Sequence, residues 1–148
     1  MLFRSANAIM VLLEREKTLA EGAGAVALAA LLQKKTSLKR QRTAVLVCGG
    51  NIDVSLLARI IERGLVKDSR RVRIRVHLAD RPGALHQLTK ILSDQRANIV
   101  ETLHNRAYYG VNLGDTVIDI TLETRGAAHI SAIGEALEAE GYRYERIQ

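Results

Sequence analysis

At 148 residues the chain has room for one ordinary domain, or for one small domain plus a piece of another. Hydrophobic residues at 47% suit a packed core, but aromatics are only 3% and tryptophan is absent, which argues against recognition by base stacking. The formal charge of +6 is carried by residues 1 to 70, where twelve Lys/Arg meet six Asp/Glu. Most of that excess lies from Gln33 to Arg42, which reads as a solvated loop between helix and strand rather than a nucleic-acid contact. Cys48 is the single cysteine, so no internal disulfide forms, as in a reducing cytosol. The longest apolar runs fall short of the roughly 20 residues a membrane-spanning helix requires. A cytoplasmic protein without membrane or nucleic-acid partners is the expectation.

The apolar spacing predicts two helices over residues 6 to 35, broken near Glu21-Gly22, the second Ala-rich and packed closely against neighbours. Thr43 to Val47 is apolar throughout and predicts a buried strand of a parallel sheet, for which this stretch offers no strand partners. It runs into Cys48-Gly49-Gly50-Asn51 and then a helix from Asp53 to Arg63, with Asp53 near its start and Gly64 ending it. Adjacent glycines there let a flat ligand lie against bare backbone; the plainer alternative is a tight strand-to-helix connection with Cys48 as a small buried hydrophobe.

From Arg71 the pattern alternates: Val72, Ile74, Val76 and Leu78 share one face, and Arg71, Arg73, Arg75 and His77 the other. Asp80-Arg81-Pro82-Gly83 stops this strand. A helix follows with Leu85, Leu88, Ile91 and Leu92 at helical spacing. Two strands, residues 98–108 and 115–123, flank a loop at residues 109–115. A second helix is buried through Ile130, Ile133 and Leu137, and a strand at residues 142–147 closes the chain. The order β-α-β-β-α-β matches the ferredoxin-like sandwich. His77, His86, His104 and His129 lack metal-ligand spacing and read as surface or helix-face histidines; no metal is expected.

Within that frame the stretch from Leu78 to Leu92 resembles the ligand-binding signature of the ACT domain: strand, Asp-x-Pro-Gly, amphipathic helix. Amides of Ala84 and Leu85 would receive an amino acid's carboxylate, with Asp80 or a carbonyl taking its ammonium. The effector residues so implied are Asp80, Arg81, Pro82, Gly83, Ala84, Leu85 and Ile99, with Val100 beside them. Upstream, the stretches beginning at Leu12, Val45 and Ile60 resemble the C-terminal half of threonine ammonia-lyase (threonine dehydratase) with a single ACT domain. The resemblance starts near Ala6.

It implies an α/β chain. Residues 1–67 would be the C-terminal piece of a domain binding pyridoxal 5'-phosphate (PLP), tryptophan-synthase-β-like and of fold type II. Residues 68–148 would be a ferredoxin-like βαββαβ ACT regulatory domain. In that family the Ser/Cys-Gly-Gly-Asn turn lies against PLP, so Cys48 would face the pyridine nitrogen, with Gly49, Gly50, Asn51 and Glu21 around the cofactor. The family's Schiff-base lysine belongs to an earlier Ser-x-Lys-x-Arg motif that this sequence does not contain, so no catalytic residue is assigned here and the chain alone is expected to be inactive. The complete enzyme would convert L-threonine to 2-oxobutanoate and ammonia for isoleucine biosynthesis. Its ACT domain would sense an amino acid such as isoleucine or valine within a homo-oligomer. The alternative is a stand-alone ACT amino-acid-binding module without catalysis.

Overall fold

The computed structural model describes residues 2–34, 38, 41–105 and 114–147. The chain divides into two compact units, Met1–Gly64 and Leu65–Gln148. Residues 35–37 and 39–40 of the basic stretch, and residues 106–113 of the expected strand end and loop, lie outside the described residues. No described helix is long and apolar enough to cross a membrane.

In the first unit α1 (Leu2–Val11) passes into a π-helical turn over Leu12–Glu16. The helix expected to reach residue 20 stops here because Lys17 adopts φ +53 and its ammonium donates to the Glu14 carbonyl at 2.7 Å. A left-handed residue closes a helix much as a glycine would. The second helix, expected over residues 23 to 35, is α2 (Val26–Leu32); residues 23–25 form turns instead, next to two glycines that disfavour helix. Ile9, Met10, Leu12 and Ile60 pack among Ala8, Ala20, Ala25 and Ala29, a small core in which alanines let backbones approach closely.

The strand expected at Thr43–Val47 does not form, and Leu46 is 80% exposed rather than buried. A strand exists only through its ladder, and the first unit has no partner strand among its described residues. The α/β sheet expected here is therefore not formed. Helix α3 (Val54–Lys67) starts where expected: the Leu56 N–H donates to Asp53 Oδ1 at 2.8 Å, an N-cap bond. It does not end at Gly64. A β-carbon at Gly64 would come within 2.8 Å of Met10 Cε, so this glycine gives Met10 room and breaks nothing. Ser69 makes the stop, at φ +56, with the Arg70 N–H returning to the Leu65 carbonyl at 2.8 Å.

The second unit runs β1 (Arg71–Ala79), α4 (Ala84–Asp94), β2 (Asn98–Asn105), β3 (Asp115–Glu123), α5 (Ala127–Ala139) and β4 (Arg143–Ile147). The sheet order is β2-β3-β1-β4 and every pairing is antiparallel. The alternation in β1 works as the sequence suggests: Val72, Ile74, Val76 and Leu78 are buried with Leu88 and Leu92 of α4 and Ile133 and Leu137 of α5. Both helices therefore cover one face. The opposite face is tied by ions: the Arg75 guanidinium donates to both Asp119 oxygens, at 2.7 and 2.9 Å, and lies 3.6 Å from Glu145.

Candidate functional site

At one end of the sheet, β1 leaves through a turn before entering α4. The Asp80 N–H donates to the Gly114 carbonyl at 2.8 Å, extending the β1–β3 pairing by one step. The chain then folds back, with the Arg81 N–H on the Ala79 carbonyl at 2.9 Å and the Ala84 N–H on the Arg81 carbonyl at 3.2 Å. Gly83 precedes α4 at φ +87, a conformation that glycine adopts without strain.

Between this turn and the strands lies a cleft of about 310 Å³. The loop from Ala79 to Leu85 forms its rim, and Leu78, His104, Thr116 and Ile118 form its floor. His104 Nε2 and Thr116 Oγ1 are 3.0 Å apart in a hydrogen bond whose direction depends on the imidazole tautomer. Thr116 is 2% exposed, while the His104 residue is exposed. Asp80 and Arg81 bring both signs of charge to the rim, and the first turn of α4 adds amides that helix geometry leaves without intrahelical acceptors. Opposite charges around an apolar interior suit a small zwitterion.

The first unit holds the Cys48 turn. The Glu21 N–H donates to the Gly49 carbonyl at 2.9 Å, and Gly49 has φ +80. A β-carbon there would lie 2.7 Å from Glu21 Oε1, and one at Gly24 would overlap the Cys48 carbonyl. Both glycines are therefore required for the close approach that brings Glu21 beside the turn. Cys48 is exposed with its thiol free, not the small buried hydrophobe of the plainer alternative.

A family model described as "ACT domain" matches residues 72–141. Residues 72–141 form an ACT domain. The whole chain resembles the threonine ammonia-lyases. It is 44% identical over 137 residues to L-threonine ammonia-lyase of Thermotoga maritima, covering 93% of this chain and 34% of that protein. The L-threonine ammonia-lyase of Geobacter sulfurreducens is 43% identical over the same shares, so the chain spans about a third of the length of these relatives. Among solved structures, prephenate dehydratase from Streptococcus mutans has a TM-score of 0.44 at 21% identity, covering 51% of this chain and 40% of that one. The ACT domain from GTP pyrophosphokinase of Chlorobium tepidum has a TM-score of 0.41 at 18% identity, covering 52% and 96%.

The ACT domain gathers Asp80, Arg81, Pro82, Gly83, Ala84 and Leu85 around one cleft. Ile99 is not among its lining residues: it packs partly against the core and borders a separate cleft with Thr89, Ser93 and Arg96. A bulge between Ile99 and Glu101 shifts the register, leaving Val100 45% exposed. The Ala84 amide, expected to receive a carboxylate, is taken by Arg81, which leaves that role to Leu85 and its neighbours. His104, Thr116 and Ile118 were not foreseen as cleft residues. Their signal lay in antiparallel register, since Thr116 lies opposite Leu78 and His104 opposite Ile118, and register depends on a bulge that the sequence hides. His129, read as a surface or helix-face residue, is buried at 9% exposure.

Proposed function

We propose that this chain is the C-terminal part of a PLP-dependent threonine ammonia-lyase, a cytoplasmic, homo-oligomeric enzyme of isoleucine biosynthesis. Residues 1–67 would complete its catalytic domain and residues 68–148 would regulate it. The observation that carries the regulatory half is the cleft itself, with Asp80 and Arg81 at its rim, Leu85 beside them and Ile118 within. Asp80 would take the ammonium of an amino acid, the α4 amides its carboxylate, and the apolar wall its side chain. The resemblance nominates isoleucine or valine.

For the catalytic half, the Cys48 turn fits the cofactor. It offers an exposed thiol on a Gly-Gly backbone braced by Glu21, and Gly49, Gly50 and Asn51 give a flat ring access to the main chain. Bound PLP would supply an electron sink for charge developing at the substrate's α-carbon. Cys48 would hydrogen-bond its pyridine nitrogen weakly, leaving that nitrogen unprotonated. No lysine is placed to act here, so the 148-residue chain with added PLP should release no 2-oxobutanoate from L-threonine. Time-dependent product above a protein-free blank would contradict this.

The sensing role is tested by melting the chain with L-isoleucine, L-valine, L-leucine, L-threonine and L-serine, each beside its D-enantiomer. A ligand at 100-fold excess over its Kd stabilises by about 2.7 kcal/mol, enough to raise the melting temperature by several degrees. Gly83→Val should abolish the shift. A β-carbon at Gly83 meets nothing within 4 Å, so the change acts by straining the φ +87 backbone and filling the cleft. Absence of a shift with every L-amino acid would refute the sensor. The stand-alone module remains the second reading. It shares the ligand shift but predicts no rise in deaminase activity when the catalytic portion of a related enzyme is added in trans.

A further inference from the structure

On the helix-covered face of β3 the residues run Thr116, Ile118, Ile120 and Leu122. Three are aliphatic and join the core. The fourth, at the cleft end, carries a hydroxyl although it is only 2% exposed. Valine would fill the same volume without a polar group to satisfy, and a buried hydroxyl is costly unless bonded. Here it is bonded to His104 Nε2 at 3.0 Å, on the floor of a cavity otherwise walled by Leu78, Leu85 and Ile118.

We propose that the His104–Thr116 pair selects the effector by its side chain, favouring an amino acid with a side-chain hydroxyl over its aliphatic isostere. This deepens the amino-acid-sensing reading and rests on it. With its charged ends held at the rim, an L-amino acid projects its side chain inward, onto the strands. A methyl group at that depth strips water from the pair and returns no hydrogen bond. A hydroxyl returns one, and both imidazole and hydroxyl can donate or accept, so the pair adjusts to either sense of that bond. Sites that hydrogen-bond a ligand hydroxyl discriminate against the analogue lacking it, because their own polar groups are otherwise left unpaired.

Threonine and valine are isosteres, as are the two side chains that Thr116→Val exchanges, so ligand and protein form a closed cycle. The test is calorimetric titration of the full chain with L-threonine and L-valine. Threonine should bind about tenfold more tightly, the size expected of one or two net hydrogen bonds in an open cleft. Thr116→Val and His104→Phe should each bring the ratio near one, chiefly by weakening threonine, whereas Thr116→Ser should keep the preference. Unchanged melting of the ligand-free variants checks that they fold. If valine binds as tightly as threonine, or the ratio survives in both variants, the selectivity is overturned while amino-acid sensing stands. If neither ligand nor any other L-amino acid binds, both fall together.

Discussion

His129 is buried at the start of α5 with both ring nitrogens engaged. The Arg125 N–H donates to Nδ1 at 3.1 Å, so Nδ1 carries no proton. The proton is on Nε2, which donates to the Gln95 carbonyl at 2.7 Å. One neutral imidazole thus joins the end of α4 to the start of α5, and only this tautomer satisfies both partners. His129→Leu keeps the bulk but leaves an amide and a carbonyl without their partner. Each orphaned group costs about 1–3 kcal/mol when water cannot replace it. We expect a loss of about 2 kcal/mol in urea unfolding, with faster hydrogen exchange at the Arg125 amide. Exchange at Arg125 unchanged in the variant would mean that the ring is not its acceptor.

At the scale of elements, α5 and β4 meet through a glycine. A β-carbon at Gly134 would overlap the Tyr144 hydroxyl, so the tyrosine lies across the helix where no side chain stands. Gly→Ala inside a helix ordinarily stabilises by about 1 kcal/mol. Here displacing a rigid ring outweighs that gain, and Gly134→Ala should destabilise by about 1–3 kcal/mol. In a Tyr144→Ala background the same change should turn neutral or stabilising; a sign that does not reverse would place the cost elsewhere. Sequence periodicity captured β1, α4, α5 and their buried faces because each has an amphipathic pattern that the fold uses directly. Helix ends were less legible. Gly141, at φ +78, ends α5 as a glycine should, but Ser69 and Arg96 take the same left-handed role in α3 and α4 without being glycines, while Gly64 continues its helix. The apolar run at Thr43–Val47 misled for a different reason: its composition encodes burial between strands, and no strand of the first unit pairs with it among the described residues. Likewise the Asp-x-Pro-Gly rim of the cleft is local in sequence and legible, whereas its floor joins residues from three strands.

For the molecule as a whole, the open face of the ACT sheet makes stability depend on acidity. Asp119 is buried between two guanidinium-bearing strand positions, and the hydrogen bonds from Arg75 hold its carboxyl below the usual range; its own desolvation opposes this, and the Arg75 and Arg73 charges add to it. Glu123 is lowered in the same direction, first by the Asn98 amide and then by Arg71. A carboxyl whose folded pKa lies below its unfolded value binds fewer protons in the folded state. It therefore stabilises the fold above the ordinary carboxylate range, near pH 4, and loses that contribution as pH falls through the depressed value. Asp119 links β3 to Arg75 in β1, and Arg75 reaches Glu145 in β4, so protonation loosens three strands together. Asp119→Asn should cost about 1–2 kcal/mol at pH 7, less than a fully buried pair because Arg75 is 38% exposed. It should cost progressively less below pH 4, until variant and parent converge near pH 2. Amide exchange of β1 and β3, followed by NMR across that range, reads the ACT domain independently of the first unit. A variant as acid-sensitive as the parent would show that the Arg75–Asp119 pair does not set the acid limit of this sheet.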